Sequence, residues 1–131
     1  MDTTALVTHF FFDVEGGLKL VEALDRDQIP VSAAYWMFHE PSGEWRLYIA
    51  TPLVSTDGIR EAYGKILKEM RKIAVSGLSA RNIVALDPSD QTVRLLSERY
   101  QTDIDAPPVT FPEAYIHGKY IPAAYIYRMK A

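Results

Sequence analysis

The chain contains no cysteine. Thiol nucleophiles, disulfide staples and cysteine-ligated metals are therefore excluded, and a reducing compartment suits such a chain. An excess of positive charge is also lacking. Fourteen Lys and Arg stand against 17 Asp and Glu, for a net charge of −3. A nucleic-acid partner is not expected from that balance, and the basic cluster Lys65, Lys68, Arg71 and Lys72 reads as a solvated helix face. Long hydrophobic runs are missing as well. The longest near the N-terminus, Ala5 to Phe12, is broken by Thr8 and His9 and followed by Asp13 and Glu15. It is too short to span a bilayer and has no basic flank of the signal-peptide kind. The expectation is a cytoplasmic protein without membrane contact. Phosphate-binding loops are absent, since Gly16-Gly17 has neither Walker nor dinucleotide spacing. Gly77-Leu78-Ser79-Ala80-Arg81 matches a nucleophile elbow for three residues and then fails, with arginine at the last position and a helix-to-strand direction.

What is present suffices for one domain. A chain of 131 residues, 48% hydrophobic, buries roughly two thirds of its unfolded surface. The first nine residues read as a partly disordered arm, and Phe10-Phe11-Phe12 then calls for burial. Leu18, Val21 and Leu24 recur at helical spacing, with Asp13 placed to cap the helix. The clearest helix runs from about Asp57 to Ile73, with Ile59, Tyr63, Ile66, Met70 and Ile73 as its apolar stripe and Ser55, Thr56 or Asp57 as cap. Gly64 in its middle costs about 1 kcal/mol relative to alanine, which predicts close approach of a neighbouring element there. Asn82 to Leu86 reads as a short buried strand. Asp87-Pro88-Ser89-Asp90 reads as the start of a helix running to about Tyr100. The last part reads as a hairpin, Val109 to Ile116 and Tyr120 to Met129, turning at His117-Gly118 or Gly118-Lys119. Pro112 and Pro122 suit edge or irregular positions, and Ile121, Ala123, Tyr125, Tyr127 and Met129 are expected on one face. The order αββαβαββ predicts an α+β fold in two layers: a mostly antiparallel sheet of about five strands with two to three helices packed on it.

The segment from Ala33 to Thr51 carries the most information. It reads as a hairpin turning at Pro41-Ser42-Gly43. Pairing Glu40 with Glu44 sets Met37 against Leu47 and Tyr35 against Ile49 on one face. The other face then holds Trp36 against Tyr48 and Phe38 against Arg46. That second face is large, aromatic and basic, and something must cover it: a helix, a second subunit or a ligand.

Candidate chemistry is sparse. His9, His39 and His117 are not spaced as metal ligands, and the last two flank turns. Glu113, Tyr115 and His117 share one strand face, read as solvated. Glu44-Trp45-Arg46 stands where the E-x-K of a PD-(D/E)-x-K nuclease would, but arginine replaces the lysine and no strand aspartate precedes it. Eight tyrosines concentrate in the hairpins. Tyr48, Tyr115, Tyr120, Tyr125 and Tyr127 could line a groove with Arg46 and Arg128, since tyrosine and arginine favour contact surfaces.

The stretches AAYWMFHEPSGEWRLYIATPLVSTDG and GKYIPAAYIYRM, with the helix between them, resemble a family of small uncharacterised bacterial proteins of about this length. The resemblance covers most of the chain after Gly17, implies a bacterial, soluble, single-domain protein, and carries over no activity, cofactor or site. With no assembled catalytic set, the leading expectation is a non-enzymatic interaction or regulatory module. It acts through protein contact, is homodimeric, and needs no metal or cofactor. Its contact residues would be Trp36, Phe38, Arg46, Tyr48, Tyr125 and Tyr127. The alternative is a small-molecule domain or enzyme with Arg46, Tyr48, Tyr125 and Tyr127 around an anionic or planar ligand. A metal-dependent nuclease relative stands third.

Overall fold

A computed structural model describes residues 12–102 and 107–130. Helix α1 (Val14–Arg26) starts where expected: the Asp13 carboxylate accepts the Gly16 N–H at 2.8 Å and caps it. Strands β1 (Ala33–His39) and β2 (Glu44–Ala50) form the hairpin. One turn of helix, α2 (Leu53–Thr56), precedes α3 (Ile59–Ile73), whose N-cap is Gly58 and not one of the preceding hydroxyl or acidic residues. A 3-10 turn, Ala80–Asn82, leads into β3 (Ile83–Leu86). Helix α4 (Gln91–Arg99) begins one turn later than its sequence suggests. Asp87 to Asp90 closes a turn first, with the Asp90 N–H donating to the Asp87 carbonyl at 2.9 Å, and Asp90 is the cap.

The C-terminal hairpin is divided at its prolines. Pro112 and Pro122 interrupt it, leaving four short strands: β4 (Val109–Phe111), β5 (Ala114–Ile116), β6 (Lys119–Ile121) and β7 (Ala124–Met129). Without a backbone N–H, proline cannot continue a ladder. The main sheet has the order β3-β2-β1-β7-β4, with β5 and β6 forming a separate pair. Only β2 and β3 run parallel; the other pairs of the main sheet are antiparallel. The α+β class and the mostly antiparallel five-stranded sheet are as the sequence predicts.

Both faces of the sheet are covered, so the expected two layers gain a third. On one face α1 and α3 pack over Ala34, Trp36, Leu47 and Ile49, contributing Leu20, Leu24 and Ile66. On the other, α4 and the β5–β6 pair pack over Ala33, Tyr35, Met37 and Ala50, contributing Val93, Leu96, Ile116 and Ile121.

The hairpin register corrects the sequence reading by one residue. His39 pairs with Glu44, Met37 with Arg46, Trp36 with Leu47 and Tyr35 with Tyr48. The loop holds four residues, closed by the Gly43 N–H donating to the His39 carbonyl at 2.9 Å. The His39 ring pins it through Ser42 Oγ at 2.8 Å. Because side chains alternate with period two, this single step exchanges the partners of every residue. A second irregularity lies between Ala34 and Tyr35, where β7 shifts register and Tyr127 is left without a cross-strand partner. That bulge turns Met129 to the face opposite Tyr125 and Tyr127.

Two helical glycines, which look alike in sequence, differ in surroundings. Gly64 has nothing within 4 Å of where a Cβ would stand, so the close neighbour expected there is absent among the described residues. At Gly17 a Cβ would overlap Tyr127 Oη and lie 2.8 Å from Trp36 Nε1, both on buried side chains. Gly64→Ala is expected to raise stability by about 1 kcal/mol. Gly17→Ala is expected to lower it by about 2 kcal/mol, overpacking outweighing the gain in helix propensity. Denaturant melts of the two variants check the opposite signs.

Candidate functional site

The register sorts the six candidate residues onto two faces. Trp36, Phe38, Tyr125 and Tyr127 belong to the face under α1. Arg46 and Tyr48 belong to the other. A groove combining Arg46 and Tyr48 with Tyr125 and Tyr127 is therefore not assembled.

On the first face the aromatic side chains largely cover one another. Phe12 stacks on Trp36 with ring centroids 5.0 Å apart and reaches Trp45 at 4.9 Å and Tyr125 at 6.0 Å. Phe38 meets Trp45 edge-on at 5.7 Å. Phe12 meets the predicted need for burial; Phe10, Phe11 and the proposed N-terminal arm lie outside the described residues. Beneath this cluster the Trp36 indole N–H donates to Tyr127 Oη at 3.0 Å, and that hydroxyl donates to the Val14 carbonyl. Burial holds the Tyr127 hydroxyl well above the usual tyrosine range. Trp36 and Tyr127 thus tie α1 to the sheet, and both are buried.

On the second face Tyr35 and Tyr48 stack at 5.2 Å with planes 11° apart. Burial raises both hydroxyl pKa values, most at Tyr35. Arg46 lies opposite Met37, and its Nε is buried with no hydrogen-bond partner among the described residues. Arg128, placed in the same groove by its sequence, is instead clamped by Asp25 through contacts of 2.7 and 2.9 Å.

The other chemistry-bearing residues are largely engaged in structure. Glu44 pairs with Arg81 and faces His39 across the hairpin, so the E-x-K analogy gains no second carboxylate there. Ser79 joins Asn82 in the cap of the 3-10 turn. In the basic helix cluster, Lys65 pairs with Asp57, and Lys72 with Asp27 and Glu69. The bond from Lys72 holds the Asp27 carboxyl below its usual range. Among the described residues no group of three His, Asp or Glu is placed to hold a metal, and His9 lies outside them. No helix among them is long and apolar enough to cross a membrane.

Among the described residues, the exposed aromatic side chains are the two on the β5–β6 pair. Tyr115 and Tyr120 are paired across it with rings 5.4 Å apart, and they are 71% and 38% exposed. Their neighbours Ile116 and Ile121 are buried and anchor the pair. The turn is the predicted His117-Gly118, with φ of 51° and 79° at its two residues, as a tight two-residue hairpin requires. His117 contacts Glu98 at 3.0 Å and Lys119 contacts Gln91 at 2.9 Å, fastening the hairpin to α4. The Tyr120 hydroxyl donates to Glu113, and the carboxylate acceptor pushes its pKa up to about 12. The alternation Tyr115-Ile116 and Tyr120-Ile121 already signals one buried and one exposed side; what it lacks is any sign of the helix beneath.

No protein-family model, curated protein or solved structure matches the chain.

Proposed function

We propose that this protein is a small cytoplasmic, non-enzymatic module that acts through protein contact and works as a homodimer. The observation that supports this reading is the anchored display of Tyr115 and Tyr120. Both project from a hairpin pinned by two buried isoleucines and two contacts to α4. Tyrosines held this way offer contact area and a polar tip while losing little side-chain entropy on binding. Trp36 and Tyr127 leave the list of contact residues in this reading, because α1 already covers them.

Two measurements test it. Wild-type protein and the Tyr115→Ser/Tyr120→Ser double variant serve as baits in extracts of the source cells. Proteins retained by wild type and lost with the variant are expected; equal recovery by both would remove the hairpin as the contact surface. Light scattering on wild type is expected to return twice the chain mass.

A further inference from the structure

The β5–β6 hairpin sorts its charges between its two faces. Residues paired across an antiparallel ladder share a face. Ala114 pairs with Ile121 and Ile116 with Lys119, and the two isoleucines turn this face toward α4. The basic groups of the hairpin are engaged on the same helix, Lys119 with Gln91 and His117 with Glu98. Tyr115 pairs with Tyr120 on the other face.

Acids accompany the tyrosines. Glu113 accepts the Tyr120 hydroxyl, and Glu40, from the β1–β2 loop, acts on that hydroxyl as a second negative charge. Both carboxylates are exposed, and neither forms a salt bridge among the described residues. The two rings are 5.4 Å apart and inclined at 57°, so they touch each other and leave no slot between them. A partner meets them from outside, chiefly at Tyr115, the more exposed of the two.

This combination selects the charge of the partner. The face of a tyrosine ring attracts cations, and an unpaired carboxylate forms its strongest hydrogen bonds with charged donors. A guanidinium suits both, being flat enough to stack on a ring and forked to bond a carboxylate. A phosphate-bearing or acidic partner is repelled by the same two groups. A second copy applied through this face would set Glu40 and Glu113 of each chain against those of the other, so the face is unsuited to pairing with itself. We propose that the Tyr115–Tyr120 face takes an arginine-bearing segment of a partner protein, with the guanidinium lying on the tyrosines beside Glu40 and Glu113. This partner chemistry rests on the contact-module reading and deepens it.

The probe is the peptide Gly-Ser-Arg-Gly-Arg-Gly-Ser, blocked at both ends, with a control in which citrulline replaces each arginine. Citrulline keeps the length and plane of the side chain and removes its charge. The intact chain is titrated at low salt and followed by NMR. The arginine peptide is expected to shift the Tyr115 and Tyr120 ring signals saturably, and the citrulline peptide to bind at least about tenfold more weakly. Added salt is expected to weaken the arginine peptide. Glu40→Gln/Glu113→Gln is expected to weaken it about fivefold, although glutamine at 113 still accepts the Tyr120 hydroxyl. Tyr115→Ser is expected to abolish its binding. Equal binding of the two peptides, or no shift with either, would overturn the basic partner. Recovery from extracts then separates this failure from that of the contact reading. Proteins lost with Tyr115→Ser/Tyr120→Ser but kept with Glu40→Gln/Glu113→Gln would leave the hairpin as a contact surface for a partner of other chemistry. Recovery indifferent to the tyrosine substitutions, with no peptide bound, would overturn both.

Discussion

Trp36→Ala is expected to destabilise the protein by about 3–5 kcal/mol, as large-to-small changes of buried aromatic residues do. The indole is 1% exposed and carries three kinds of contact at once. Phe12 stacks on it at 5.0 Å, its N–H donates to Tyr127 Oη at 3.0 Å, and α1 passes close above at Gly17. Truncation leaves a cavity, and Gly17 prevents α1 from offering a side chain to fill it. It also takes from Tyr127 the donor that orients its hydroxyl toward Val14. In urea the midpoint is expected to fall with the slope unchanged. The same substitution separates two roles for this residue. If Trp36 were an interface residue, the dimer would split and the monomer would keep its stability. With Trp36 inside the fold, stability falls whatever the oligomeric state. A loss below about 1 kcal/mol, together with dissociation, is the result that would reverse this assignment.

The elements of this fold are legible in the sequence because each is marked locally. Asp13 before the helical spacing of Leu18, Val21 and Leu24 marks α1, and the Asp13 cap is present. Pro112 and Pro122 mark the irregular points of the C-terminal strands. The Ile83–Leu86 strand is marked by its apolar run. The hairpin register is not marked in this way. Pro41-Ser42-Gly43 fits a three-residue turn as well as the end of a four-residue loop. What selects the longer loop is the His39 ring bonding to Ser42. That contact depends on where a side chain lies and has no counterpart in composition or periodicity.

The arrangement of the candidate residues departs from the sequence reading for the same physical reason. A one-residue step in a two-residue alternation moves Tyr48 and Arg46 to the other face of the sheet from Trp36 and Phe38. The bulge at Tyr127 compounds it, because the strict alternation expected for β7 would put Met129 beside Tyr125. The large aromatic face does exist, and its covering by a helix was one of three expected outcomes. Which outcome holds depends on α1 packing from a distance in sequence. Gly17 is the residue that admits α1, and in sequence it is simply the second of two glycines. The place of β3 is not marked locally either: its apolar run reads as a short buried strand, and only the sheet order puts it at an edge.

Asp25→Ala is expected to cost about 3 kcal/mol, and Arg128→Met only about 1 kcal/mol, although the two residues form one ion pair. Arg128 is 4% exposed, while the side chain of Asp25 is 37% exposed. Its guanidinium grips the carboxylate with two bonds, Nη1 at 2.9 Å and Nη2 at 2.7 Å, and Nη1 also reaches the Val31 carbonyl at 3.3 Å. The pair joins the end of α1 to β7 beside the bulge. Removing Asp25 strands a buried cation whose Nε already lacks a partner among the described residues. Removing Arg128 leaves a carboxylate that water can reach, and methionine fills much of the vacated volume while deleting the unpaired donor. The asymmetry is therefore set by which ion can be resolvated, not by the strength of the pair. The double variant Asp25→Ala/Arg128→Met follows from the same logic. It is expected to be more stable than Asp25→Ala alone, because the second change removes the stranded charge. Equal losses in the two single variants, or a double variant less stable than either, would place the pair at the solvent-screened surface and discard the clamp.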